Sequence, residues 1–286
     1  MGKISMDEII AKIDELPAIP ALVMRALELI DDPRSHVNQL AEVLASDQAL
    51  TAKILRLANS AYYSFPRKVS TITDAIVILG FSTLKSLIIA ASTYNLLNKE
   101  VEGYGLAQGE LWKHSISCAM TARLLARKIR FRNPETAFVA GLLHDIGKVV
   151  LNTYMKKEFE EILKYVEENQ VPFMVAEKEI IGFDHAEIGA KVAEKWNFPE
   201  ELVKAIRYHH EPLAVENKTG KANLSDITHL SDAIVLMMGF GLGVDGLMYP
   251  IEEEVVERAG ITMNDLNEIG NKLIESFADT ELLLAS

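Results

Sequence analysis

The chain holds a single cysteine, Cys118, in 286 residues. One thiol forms no intrachain disulfide, so nothing in the sequence asks for an oxidising compartment. Within the apolar run Ile116 to Met120, Cys118 reads as a core residue. Positive charge is also scarce: 29 Lys and Arg stand against 41 Asp and Glu, a net charge of −12. Such a balance excludes non-specific binding to nucleic acid or to an anionic membrane surface, both of which need a basic face. Arg67-Lys68 is a local basic pair and reads as a solvated loop. Long apolar runs are missing too. The longest unbroken one, Ala233 to Met238, is far short of the ~20 residues of a spanning helix. The start lacks the apolar stretch of a signal peptide, and Met6 stands where a myristoylation signal has Ser or Thr. These absences predict a cytoplasmic protein without a membrane partner. Alternating strand patterns, internal repeats and low-complexity segments are absent as well.

What remains is helical periodicity. Leu22, Ala26, Leu29 and Ile30 lie at i, i+4, i+7 and i+8. Leu40, Val43 and Leu44 repeat the i, i+3, i+4 pattern, as do Ile54, Leu57 and Ala58, which marks single-faced helices. Punctuation separates them: Leu16 to Pro20, Asp32-Pro33, Phe65-Pro66 and Gly80-Phe81-Ser82. Ser35 is a candidate cap for the third helix, and Ser70 or Thr71 for the one after Phe65-Pro66. The Gly-containing stretch Glu100 to Gly109 reads as a hinge. The expected fold is all-α: an N-terminal short-helix bundle, residues 1–105, packed on a C-terminal helical domain, residues 106–286. Helices in the second are expected at about 110–129, 135–143, 156–169, 173–181, 185–196, 199–209, 225–238, 252–259 and 263–279.

Histidine is rare, with seven in all, and five of them join two aspartates in one candidate set. These are His114, the pair His144-Asp145, His185, the pair His209-His210, and Asp232. Imidazole and carboxylate suit iron, manganese, zinc, nickel or cobalt, and seven such groups suffice for two divalent ions. His114 has the small residues Cys118 and Thr121 on its face, so other helices can approach it. His144-Asp145 ends an otherwise apolar helix, where burial without partners is costly. The two oxygens of Asp145 can face two ions, and Gly147 permits a tight turn after it. Lys148 reads either as a point charge for a phosphate oxygen or as an ordinary helix-end base. His185 opens a helix capped by Asp184, and Gly189 and Ala190 keep one side of that helix thin. His209 and His210 end a helix; adjacent residues point about 100° apart, so both ligate only if the site lies at the helix end. The plain alternative is that they complement the helix dipole. Asp232 sits in an apolar helix and needs a cation, unless it turns to solvent. His229 reads as a surface residue or as a support for the ligands.

Two motifs mislead. Gly241 to Gly246 matches G-x-G-x-x-G, but a helix precedes it where the dinucleotide fingerprint needs a strand. Asp47 to Asn59 could pass for a helix-turn-helix, but Lys53 and Arg56 make too thin a basic face for DNA.

The order His114, His144-Asp145, Asp232 resembles the HD superfamily of metal-dependent phosphohydrolases. His185 and His209-His210 resemble its two-metal branch, which includes the HD-GYP cyclic-dinucleotide phosphodiesterases, although Pro212-Leu213-Ala214 stands where Gly-Tyr-Pro would follow. The first half, Leu57-Ala58-Asn59-Ser60-Ala61-Tyr62-Tyr63 and Ile72 to Gly80, resembles the HDOD (HD-related output domain) family over about residues 7 to 280. The resemblance implies a first ion held by His114, His144, Asp145 and Asp232, and a second held by Asp145, His185, His209 and His210. Asp145 and Lys148 would then carry catalysis on a phosphoester or nucleotide. It equally implies a bacterial signal-transduction module with a protein partner, in which the metal is structural or sensory.

Overall fold

The computed structural model describes residues 6–15, 19–60, 62–63, 68–155, 158–244 and 251–284. The breaks expected at Leu16-Pro17 and Phe65-Pro66, Arg67 of the basic pair, and Asp245-Gly246 of the glycine motif lie outside them. Every regular element among the described residues is helical, and the only β feature there is an isolated bridge between Val101 and Leu106. The fold is all-α, as expected.

The chain divides into two compact units, one of residues 17–95 with 271–286, the other of residues 1–16 with 96–270. Helix α1 (Met6–Glu15) belongs to the second. The first contains α2 (Ala21–Asp31), α3 (Val37–Ala45), α4 (Gln48–Ala58) and most of α5 (Ile72–Leu97). Helix α2 buries Val23, Ala26, Leu27 and Leu29, a stripe turned by about one residue from the expected one. The expected cap Ser35 is displaced by one position: His36 is the N-cap of α3, its N–H donating to Gln39 Oε1 at 3.1 Å. Asp47 caps α4 by accepting from the Leu50 N–H at 2.9 Å, and Thr71 Oγ1 accepts from the Asp74 N–H at the start of α5. Asn59 of the Leu-Ala-Asn-Ser motif clamps the segment that follows α4. Its amide donates to the Leu55 and Val69 carbonyls, and its Oδ1 accepts from the Val69 N–H, each at 2.7 Å.

Helix α5 is long and apolar enough by length and composition to cross a membrane, yet half of that stretch is buried inside the protein. It also breaks at Gly80, where φ 79° and ψ 166° leave helical geometry. The break falls where the sequence predicted it, and the backbone does not form one continuous span.

The other unit carries α6 (Glu110–Lys128), α7 (Pro134–Leu143), α8 (Ile146–Tyr154), α9 (Glu158–Asn169), α10 (Phe173–Ile181), α11 (His185–Lys195), α12 (Glu200–Arg207), α13 (Leu224–Met237), α14 (Glu253–Ala259) and the first turns of α15 (Met263–Leu284). Helix α6 packs on α7 and α13, α8 on α11, α11 on α12, and α12 on α13. Helix α8 was not expected, because Gly147 was read as the start of a turn. It is instead a helical residue inside α8, and it lets two backbones meet: a Cβ there would overlap the His185 carbonyl oxygen and lie 2.7 Å from the Gly189 nitrogen. The thin face expected around Gly189 is the other side of that contact.

Candidate metal centre

Helix ends deliver five of the seven candidate ligands. Helix α7 starts at the cap Asn133 with Pro134 at its first position, buries Ala137 to Leu143, and stops at His144. Asp145 is the N-cap of α8. Asp184 caps α11 in a reciprocal box with Glu187, which fixes His185 as the first helical residue. His209 and His210 follow the C-cap of α12, Tyr208. His114 and Asp232 come from within α6 and α13, whose packing brings them face to face. His114, His144, Asp145, His185, His209 and Asp232 are all buried.

Two histidine sets meet on Asp145. On one side, His114 Nε2 lies 3.0 Å from Asp232 Oδ1, 3.3 Å from His144 Nε2 and 3.6 Å from Asp145 Oδ2. His144 Nε2 lies 3.3 Å from Asp145 Oδ2 and 3.6 Å from Asp232 Oδ1. On the other side, Asp145 Oδ1 faces His185 Nε2 at 3.5 Å and His209 Nε2 at 3.8 Å. His210 Nε2 is 3.0 Å from His185 Nε2. The structure therefore brings all seven expected residues together. Lys148 lies one turn into α8, its Nζ 2.8 Å from Asp145 Oδ2 and over the Tyr104 ring.

Four of the rings are aimed by their other nitrogen. Nδ1 of His144 faces the Gly141 carbonyl at 2.8 Å, that of His209 the Ile206 carbonyl at 2.7 Å, and that of His114 the Phe240 carbonyl at 3.0 Å. Nδ1 of His185 faces Glu177 Oε2 at 2.7 Å. Each Nδ1 is thereby an N–H donor and each Nε2 is turned inward, where a metal would take the place of any proton it carries, the arrangement metal-bound imidazoles adopt. Asp145 Oδ1 and His209 Nε2 are buried without a hydrogen-bond partner. Orphaned acceptors of this kind are costly in a protein interior, and a divalent cation between them removes the cost. The residues present fit a metal.

Electrostatics follow the geometry. Burial opposes charge on His114, but the Cys118 sulfur and the Asp232 carboxylate outweigh it and lift the ring to about 10. His144 is likewise lifted to about 10 against burial, by Asp145 and Asp232. Burial also resists ionisation of Asp145 and Asp232, yet the neighbouring rings, and Lys148 beside Asp145, hold both carboxyls well below their usual range. On the far side, burial and the other rings push His209 down to about 3 and His210 well below the usual imidazole value.

Three contributors escaped the sequence reading. Glu177 is fully buried on α10 and accepts from His185 twice, through Nδ1 and through the backbone N–H at 3.2 Å. Tyr104 donates its hydroxyl to the other oxygen of Glu177. Cys118, read as core, is core, but its Sγ lies 3.5 Å from His114 Nε2; burial pushes its thiol up to about 11. His229 corrects the surface reading: it is buried, with Nδ1 2.8 Å from the His209 carbonyl and Nε2 accepting from the Glu252 N–H.

An all-helical protein with imidazoles and carboxylates gathered at its helix ends is, by class, a candidate metalloprotein of the HD kind. The sequence profile of the HDOD domain matches residues 16–212, and the chain belongs to that family. An HDOD domain protein of unknown function from Geobacter sulfurreducens has the same fold, with a TM-score of 0.79 at 29% identity over 98% of this chain and 97% of its own. A Shewanella amazonensis protein provisionally named a phosphohydrolase gives 0.73 at 29% identity, covering 96% and 97%. An uncharacterized Treponema pallidum protein is 25% identical over 200 residues, 70% of this chain. The chain spans 38% of that relative's length.

Proposed function

We propose that this chain is a cytoplasmic bacterial signalling protein that binds two divalent cations and hydrolyses a phosphoester. His114, His144 and Asp232 would hold one ion, His185, His209 and His210 the other, and Asp145 would join them. The observation that carries this reading is the position of Asp145, with Oδ2 toward the first histidine set and the orphaned Oδ1 toward the second. Bound there, divalent ions would lower the pKa of water toward neutrality and polarise a phosphoryl oxygen. The protein's part is to fix the ring tautomers through Gly141, Ile206, Phe240 and Glu177, to keep Asp145 ionised, and to offer Lys148 to a phosphate oxygen. A phosphoester such as a nucleotide fits a site with one ammonium beside the bridging carboxylate, and the name of the Shewanella neighbour points the same way.

A second reading has one observation in its favour. The cluster is sealed, with no residue of the set except His210 more than 5% exposed. A closed metal site is characteristic of structural ions, and the helices of residues 17–95 would then serve a protein partner in signalling.

Metal analysis after reconstitution, followed by a panel of phosphoesters, separates the readings. We expect close to two equivalents of a transition metal; less than about half an equivalent would sink both readings of the metal. Lys148→Met should keep the metal and slow hydrolysis on the order of a hundredfold. Metal bound without turnover of any phosphoester leaves the structural or sensory reading standing and ends the enzymatic one.

A further inference from the structure

Cys118 lies one turn after His114 on α6, and residues four apart share a helix face. Its Sγ points into the centre: it is 3.5 Å from His114 Nε2, and the donor atoms of His114, Cys118, His144 and Asp232 all lie within 4.8 Å of one another. A cysteine that merely fills a core faces apolar atoms. This one faces a ring nitrogen whose direction is set by the Phe240 carbonyl on the opposite side of the ring. Its own place is set just as firmly. Helix α7 rests on the turn of α6 that carries it, so closely that a Cβ on Gly141 would come 2.6 Å from the Cys118 carbonyl oxygen.

Distances among the donors carry the point. Metal–nitrogen and metal–sulfur bonds of roughly 2.0–2.3 Å, at angles of about 90–110°, put neighbouring ligands about 2.8–3.8 Å apart. The contacts here are 3.5 Å for Cys118 with His114, 3.3 Å for His114 with His144, 3.6 Å for His144 with Asp232 and 3.0 Å for His114 with Asp232. The sulfur is as close to His114 as the nitrogen and oxygen donors are to one another, and it lies within 4.8 Å of the His144 and Asp232 donors. Asp145 joins this half through Oδ2, 3.6 Å from His114 Nε2, while its partnerless Oδ1 marks the adjoining half of the same centre as built for a cation.

We propose that Cys118 supplies a thiolate ligand to the ion held by His114, His144 and Asp232. The inference rests on the metal-centre reading above and deepens it. The two halves of the centre then differ in kind, one of nitrogen, oxygen and sulfur, the other of three imidazoles with Asp145. Sulfur selects borderline and soft cations, so the first half prefers zinc, cobalt or iron(II) over magnesium and manganese.

Cobalt(II) titration of the full chain tests this. Because the chain has one cysteine, any sulfur-to-cobalt charge-transfer band in the near ultraviolet belongs to Cys118. We expect the band to grow with the first equivalent, and to vanish in Cys118→Ser and Cys118→Ala while cobalt still binds, with zinc affinity lowered roughly tenfold or more. Cobalt bound by the unaltered protein without that band overturns the inference and leaves the metal centre intact. Less than about half an equivalent bound, the threshold set above, overturns the centre and this ligand with it. The first outcome depends only on the unaltered protein, so poor folding of a variant does not rescue the idea.

Discussion

Gly147→Ala is the smallest change that should break the centre without altering a ligand side chain. The added methyl would overlap the His185 carbonyl oxygen and lie 2.7 Å from the Gly189 nitrogen and 2.9 Å from the His185 carbonyl carbon. Ordinary contacts begin near 3.5 Å, so α8 and α11 must separate by roughly 1.5 Å. All three neighbours are backbone atoms, and no rotamer change relieves them. Overpacking of this kind costs about 3 kcal/mol at the upper end of the usual range. Alanine returns about 1 kcal/mol through its helix propensity, which leaves a net loss of about 2 kcal/mol. With a urea dependence of about 2 kcal/mol per molar, the unfolding midpoint falls by about 1 M. Both tryptophans, Trp112 and Trp196, lie in the unit that holds the site, so intrinsic fluorescence reports its unfolding. The same separation moves Asp145 away from His185, and metal sites tolerate only about 0.2 Å, so the second ion should be lost. Gly189→Ala is the control: its nearest neighbours are the Ile206 methyl at 3.0 Å, then the Gly147 nitrogen and an Ile146 methyl at 3.4 Å, and side-chain tips can yield. A Gly147→Ala protein that unfolds within about 0.3 M of the parent and keeps two ions would refute the reasoning.

Glu177→Gln removes the charge that His185 Nδ1 faces while keeping the shape. The second ion should bind roughly 10–100-fold more weakly, read by chelator competition, and Glu177→Asp should recover part of the loss; unchanged affinity in Glu177→Gln would show that Glu177 is only a packing residue. Metal-free protein, stripped by chelation, should be most stable near pH 6.5. His209 is held at about 3 in the fold, so its contribution is present above its unfolded value of 6.5 and is lost as pH falls toward 3. His114 and His144 are held at about 10, so their contribution is complete below 6.5 and is lost as pH rises toward 10. Urea midpoints at pH about 5, 6.5 and 9 check the sign, and a monotonic rise across that range would contradict it.

How much of this could be read from sequence depends on how local each cause is. The ligand types were legible because a carboxylate in the apolar run around Asp232, or after Leu142-Leu143, has no bland explanation once buried. The caps Asp184 and Asp47 act within three residues, and Asp184 was visible for that reason. Helix α8 was not, since glycine signals a turn and a close helix contact alike. What decides at Gly147 is the His185 carbonyl, contributed by another helix. Glu177 pairs with Tyr104, 73 residues away, and no spacing rule reaches that far. Cys118 was visible at i+4 from His114, but its meaning depends on where Nε2 points, and the Phe240 carbonyl sets that from the segment after α13.

Charge explains why Lys148 sits where it does. Asp145 and Asp232 are buried carboxylates, and ions buried without compensation cost several kcal/mol each. In this structure the raised rings of His114 and His144 and the Lys148 ammonium neutralise them. A dication held by these residues would displace those protons and would also repel Lys148 Nζ, which lies 2.8 Å from Asp145 Oδ2. At about 4 Å and an effective dielectric near 20, that repulsion would be about 8 kcal/mol, against about 6 kcal/mol of attraction to the carboxylate at the observed contact. Such an ion would loosen Lys148 from its carboxylate, and an anion bound at the site would offer the freed ammonium a new partner. This is the physical reason to place Lys148 on a phosphate oxygen rather than in a permanent ion pair. It also gives Lys148→Met a double sign: metal binding should tighten, because a competing cation is gone, while turnover of a phosphoester should fall.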